Sequence, residues 1–273
     1  MGLDLSSNLA RHHFLNGIPV QFRVGKEHSQ SAFYLPRGQL MQESDRNNVF
    51  AAQTKNVRAL EQAWKHINKS INAAYSCGDI SSAEIHTKLL AQVYCAYAEA
   101  VFSKVIHTPN GLSINDINQI KMRGKKNIVE AWKKCVELSF KKVQGKNSSH
   151  VPNAKLKINE LIDAYVFDPS LLRNKIAHGQ WIVALNTNNT NVNAELTSKI
   201  QGISVIDLYQ KKAAFQSLSC ILEDIIKSPN KAHHRDYWLH ITQFEKSQHD
   251  MASWTIENKI SALRAKKLHA KRR

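Results

Sequence analysis

The sequence predicts a mainly α-helical protein, an all-α bundle with a small β-hairpin insertion and a partly extended N-terminal arm. Three observations carry that expectation. Apolar residues recur at three- and four-residue spacing through most of the chain beyond residue 43. Capping residues and Gly or Pro stops separate those stretches. Runs with strand-like composition are confined to the first 43 residues and to the flanks of one Asn/Thr-rich segment.

Residues 1–43 form the predicted arm. Gly17, Pro19, Gly25, Pro36 and Gly38 punctuate it, and IPVQFRV and SAFYL have the β-branched and aromatic content of short strands. Residues 44–228 form the predicted helical domain. Its first helix is capped at Ser44-Asp45 and runs to about Ser76 with Val57, Leu60, Trp64, Ile67, Ile71 and Ala74 on one face. A second starts near Ser81, where Ser81 and Glu84 have capping-box spacing, and stops at Pro109-Asn110-Gly111. A third spans Ser113 to about Val143 on a stripe of Ile117, Ile120, Ile128, Trp132, Val136 and Phe140. A fourth covers Ala154 to Phe167. Asp168-Pro169 opens a short helix, with Asp as cap and Pro at the first helical position, and Gly179 closes it. WIVAL and SKIQGISVI then flank NTNNTNVNAE, which reads as a hairpin with a polar turn. A helix from about Asp207 to Ser228 ends at Pro229. Residues 229–273 form a last helix, from about His234, and a basic tail, RAKKLHAKRR.

The 273 residues are 42% hydrophobic, enough for a core, but Lys and Arg outnumber Asp and Glu by 38 to 22, for a net charge of +16. Such an excess attracts polyanions, because each phosphate neutralised releases condensed counterions. Nucleic acid is the partner this predicts. Cys77, Cys95, Cys135 and Cys220 form no C-x-x-C pair and read as mostly buried thiols of a cytoplasmic protein. No leader or membrane span is expected, and no Gly-rich phosphate loop is present. His12-His13 and His233-His234 lack accompanying acids, so no metal and no cofactor is expected. Glu223-Asp224 reads as a solvated face.

Residues 173–178 read Arg-Asn-Lys-Ile-Ala-His, followed by Gly-Gln-Trp. The Arg-x4-His spacing alone carries little information, since Arg23/His28, Arg235/His240 and Arg264/His269 share it. Context separates them. The first lies in a turn around Gly25, the second surrounds Tyr237 and Trp238, which read as core-facing, and the third lies in the tail. Only Arg173 is followed by Asn, an apolar pair and His-Gly. On one helix, Asn174 and His178 share a face, and Arg173 lies about 100° round the same turn. His178 would end the helix, where the macrodipole favours an imidazolium.

The Asn after Arg173, the Ala-His-Gly ending and the preceding long helices resemble the HEPN superfamily, many of whose members are metal-independent endoribonucleases. The resemblance covers roughly residues 50–228, its specific part about eleven residues. It implies a HEPN-like helical bundle with Arg173 and His178 as catalytic residues; Asn174, on the face of His178, would orient the imidazole as a neighbouring amide does. It also implies a homodimer with two motifs facing one RNA strand, and a role in antiviral defence or as a toxin, with a regulatory or antitoxin protein as a further partner. Lys175, Lys266, Lys267, Arg272 and Arg273 are the candidate RNA-binding cations. The toxin branch often carries Tyr two residues beyond the His, where this chain has Gln180. A non-catalytic RNA- or protein-binding helical module is the alternative.

Overall fold

A helix that is apolar on every side needs neighbours on every side, and the C-terminal two-thirds of the second helix is one. The computed structural model of the chain describes residues 41–125, 127–144, 150–166, 174–230 and 237–271. The N-terminal arm expected over residues 1–43 lies outside them except for its last three residues. The named helices are α1 (Glu43–Cys77), α2 (Ile80–Ile106), α3 (Ile114–Gly124), α4 (Ile128–Phe140), α5 (His150–Tyr165), α6 (Ala194–Gln201), α7 (Val205–Lys227), α8 (Tyr237–Ala252) and α9 (Ile256–Lys271). Among the described residues there is no strand, so the protein is mainly all-α.

Helices α1 and α2 form a long hairpin. Gly78 turns the chain with a left-handed φ of 80°, and Asp79 caps α2 by accepting the Ser82 amide at 3.0 Å. The cap is therefore Asp79, two residues before the expected Ser81: its short carboxylate reaches the third amide of the helix directly. Helix α7 returns along α2, and α4 and α5 also pack against α7. The centre is aromatic. The fully buried Trp132 of α4 lies 4.8 Å from Phe102 of α2 and meets Phe215 of α7 edge-on at 5.4 Å; Tyr94 of α2 meets Phe215 edge-on at 5.8 Å. Helix α8 packs on α7, and α9 on α1. Helix α2 is long and apolar enough to cross a membrane, but 67% of its most apolar stretch is buried in this core.

Four further expectations need correction. The expected third helix is two, because Gly124 weakens it and Asn127 starts α4 by accepting the Val129 amide at 2.8 Å. The expected last helix is also two, since Thr255 Oγ1 accepts the Asn258 amide and opens α9. The hairpin is reduced to one antiparallel bridge, Leu185 to Val192. Its second arm is α6, which Asn193 caps by accepting the Leu196 amide at 3.0 Å and which buries Ile200. Trp238, expected in the core, is 46% exposed. Two smaller differences follow from packing. Cys95 and Cys135 are buried, while Cys77 and Cys220 are exposed. Glu223 is held by Lys104 of α2 at 2.9 Å and by Lys227 rather than by solvent.

The link from α2 to α3 is packed tightly. A Cβ at Gly111 would run into the Ile226 side chain and the Thr108 carbonyl oxygen, so only glycine fits. The buried Arg46 donates to the Leu112 carbonyl at 3.2 Å, and Lys142 donates to that of Gly111. His107 is buried here, its Nδ1 donating to the Ser103 carbonyl at 2.6 Å.

Two outcomes are expected. Trp132→Ala removes the ring shared by three helices and should cost about 3–5 kcal/mol in chemical denaturation. Burial disfavours the His107 imidazolium and, with Lys121 and Arg46 acting in the same direction, takes its pKa from 6.5 to about 4. The unfolded chain binds this proton as pH falls through 6.5, the folded chain only near 4. Stability from this residue is therefore complete above pH 6.5 and declines towards pH 4, by at most ~3 kcal/mol. Unfolding free energies measured across that range should fall, and less steeply in His107→Gln.

Candidate functional site

The described part of the motif begins with a helical turn at residues 174–177. Asp168, Pro169 and Arg173 lie outside the described residues. The His178 amide donates to the Asn174 carbonyl at 3.0 Å, so the four-residue spacing is helical as expected. Gly179 then takes a φ of 77°. Its amide donates to Ile176 O at 3.1 Å, and the Gln180 amide to Lys175 O at 2.9 Å. These paired bonds around a left-handed glycine make a Schellman ending, with His178 as the last half-helical residue. Nothing lies within 4 Å of a Cβ built on Gly179, so glycine is required by backbone conformation and not by space.

The residues around His178 hold the turn in place. Ile176 is 1% exposed and belongs to the main core. Trp181 packs against that core and donates its indole N–H to the Ile176 carbonyl at 2.9 Å. Gln180 Oε1 accepts the Leu185 amide at 2.8 Å. Lys175, a candidate RNA contact, is half-buried and donates Nζ to the Leu185 carbonyl at 2.6 Å. Asn174 and His178 are exposed. Among the described residues, no side chain hydrogen-bonds or ion-pairs with the His178 ring. The imidazole is thus fixed at its Cα by a cap and an anchored backbone, and open at its ring to solvent and to any ligand. Of the apolar residues that follow, Ala184 is buried, while Ile182 at 66% and Val192 at 61% stay exposed.

The other candidate cations lie elsewhere. Lys266 and Lys267 are exposed on α9, where Lys267 Nζ lies 3.4 Å from the Ser76 carbonyl at the end of α1. Arg272 and Arg273 lie outside the described residues. His240, of the competing Arg235/His240 pair, faces Asp224 at 3.2 Å.

A second site was not anticipated from the sequence. Where α8 turns into α9, Tyr209 of α7, Trp254, Asn258 and Lys259 line a cleft of about 330 Å³. Lys259 Nζ donates to the Tyr209 hydroxyl at 3.0 Å and lies 5.0 Å from the ring centre, and Tyr209 in turn donates to Asn68 Oδ1. Burial pushes the Tyr209 phenol up to about 12. Thr255 before the apolar spacing Ile256, Ile260, Leu263 was the legible signal of a helix start, but nothing local links it to Tyr209.

If the Schellman ending fixes the turn, Gly179→Ala should cost about 1–2 kcal/mol in denaturation, because only backbone strain is added. Gly179→Asn should cost less, since Asn tolerates the left-handed region. No protein-family model, curated protein or solved structure matches this chain.

Proposed function

We propose that the protein is a metal-independent endoribonuclease with a HEPN-like bundle, acting through Arg173 and His178. The observation that carries this reading is the state of His178: a titratable ring held at a rigid helix end, with structural partners for its neighbours and none for itself among the described residues. The net charge of +16 supports a polyanionic substrate.

In the proposed reaction a base takes the proton of a ribose 2′-OH, and that oxygen attacks the adjacent phosphorus. The bond from phosphorus to the 5′-oxygen breaks, and an acid protonates the departing oxygen. The products are a 2′,3′-cyclic phosphate and a 5′-hydroxyl. Histidine suits either proton transfer near neutral pH. Arg173 would hold the phosphate oxygens with its planar, permanently charged fork, and Asn174 would orient the imidazole. One imidazole does not serve as base and acid at once, so the reading includes a homodimer that brings two motifs to one strand. The exposed Ile182 and Val192, which follow His178 in the chain, would suit a self-complementary contact. A cytoplasmic role in defence or as a toxin restrained by a second protein belongs to the same proposal.

The charge also suits a helical module that binds RNA without cutting it, and one experiment separates the two. Wild-type protein incubated with labelled RNA in EDTA should give fragments ending in a cyclic phosphate. His178→Ala and Arg173→Ala should each lower the rate by at least about 10²-fold. Because His178 is exposed, its replacement should change stability by no more than about 0.5 kcal/mol. Cleavage undiminished in His178→Ala would overturn the mechanism, and binding without cleavage would favour the module.

A further inference from the structure

We propose that the cleft between α7 and the start of α9 binds single-stranded RNA, with one base stacked on Trp254 and the adjoining phosphate on Lys259. This inference rests on RNA being the partner but not on any reaction at His178.

The cleft's volume of about 330 Å³ lies at the lower end of the roughly 300–1,000 Å³ typical of small-molecule sites, enough for one base and not for a folded partner. Trp254 forms one wall. It meets Tyr209 at 86° with ring centres 6.5 Å apart, yet 49% of the residue stays exposed. An indole that meets a neighbouring ring and still leaves half its surface exposed offers area for stacking, and every base has a face to offer it.

Lys259 supplies the charge. Its ammonium is drawn over the Tyr209 ring and bonded to a neutral phenol, and no carboxylate among the described residues pairs with it. That contrasts with Lys133, Lys157, Lys199, Lys227 and Lys246, which meet acids at 2.5–2.8 Å. Burial, and then Lys266, lower the Lys259 pKa, so an arriving anion would relieve both costs. Lys266 follows Lys259 by seven residues, two turns or about 10.5 Å along the same face of α9. Arg264 and Lys267 are also exposed on α9, about 140° and 80° round the helix from Lys259. A lone nucleotide would use the cleft only. A strand would use the cleft and Lys266 beyond it, and the excess positive charge favours the strand.

The test is a binding cycle in the full chain carrying His178→Ala, so that RNA is not consumed. A fluorescent single-stranded oligoribonucleotide and a copy with abasic positions are titrated against that protein with and without Trp254→Ala. Loss of bases should weaken binding to the Trp254 protein about tenfold and have little effect on the Trp254→Ala protein, whereas Trp254→Phe should restore base dependence. Lys259→Gln should reduce the slope of log affinity against log salt by about one. Equal affinity and equal base dependence with and without Trp254, or no oligonucleotide binding at all, would overturn the inference. Base dependence through Trp254 in a chain whose wild type cuts no RNA would uphold it while removing the proposed reaction. Cleavage by a chain whose binding ignores Trp254 would do the reverse.

Discussion

Three helices meet on one ring. Trp132 has no exposed surface and touches Phe102 of α2 and Phe215 of α7 within one aromatic cluster. Aromatic contacts of this kind combine a large buried area with a preferred geometry, so they set the relative position of α2, α4 and α7 as well as holding them together. The remaining helices follow from that arrangement. Helix α5 packs on α4 and α7, α8 on α7, and α1 covers the outer side of α2. Even the α2–α3 link is fitted to it, since Ile226 near the end of α7 leaves no room for a side chain at Gly111.

The same core reaches the motif through Ile176 and Trp181. These apolar residues anchor the turn from below, and Gly179 ends it from above. Structural and chemical duties are thereby divided among adjacent residues. Lys175 and Gln180 tie the turn to Leu185, whereas the His178 ring is left to solvent. A hydrogen-bonded backbone beneath a side chain with no partner among the described residues is a useful arrangement for a residue that must meet a ligand, because little backbone ordering remains to be done on binding.

Charge is distributed by a similar division. Many lysines pair locally with acids three or four residues away, as Lys134 with Glu137 and Lys246 with Asp250. Such exposed pairs contribute little stability, but they neutralise the local surface. What remains positive is therefore concentrated where acids are scarce, and α9 is such a place, with Glu257 its single acidic residue among Lys259, Arg264, Lys266 and Lys267. Lys259 differs from the rest because it is half-buried against the Tyr209 ring.

The sequence by itself determined the features that depend on near neighbours in the chain. Helical spacing marked the inward faces of α1, α3 and α4. Gly179 marked the end of the motif turn, because a left-handed residue is a local backbone requirement. Asn174 and His178 were placed on adjacent turns by spacing alone. Tertiary structure decided what periodicity does not encode. A hydrophobic stripe says that a face is buried and not what buries it, so the divisions at Asn127 and Thr255 were read as continuous helix. The apolar run around Ile200 fitted a strand until the Asn193 cap and its place in the core made it α6. Trp238 looked like core and lies outside it, while Glu223 looked solvated and lies between two lysines. The cleft of Tyr209, Trp254 and Lys259 joins residues up to 50 positions apart. Only the packing of helices onto the Trp132 cluster brings together groups so distant in the chain.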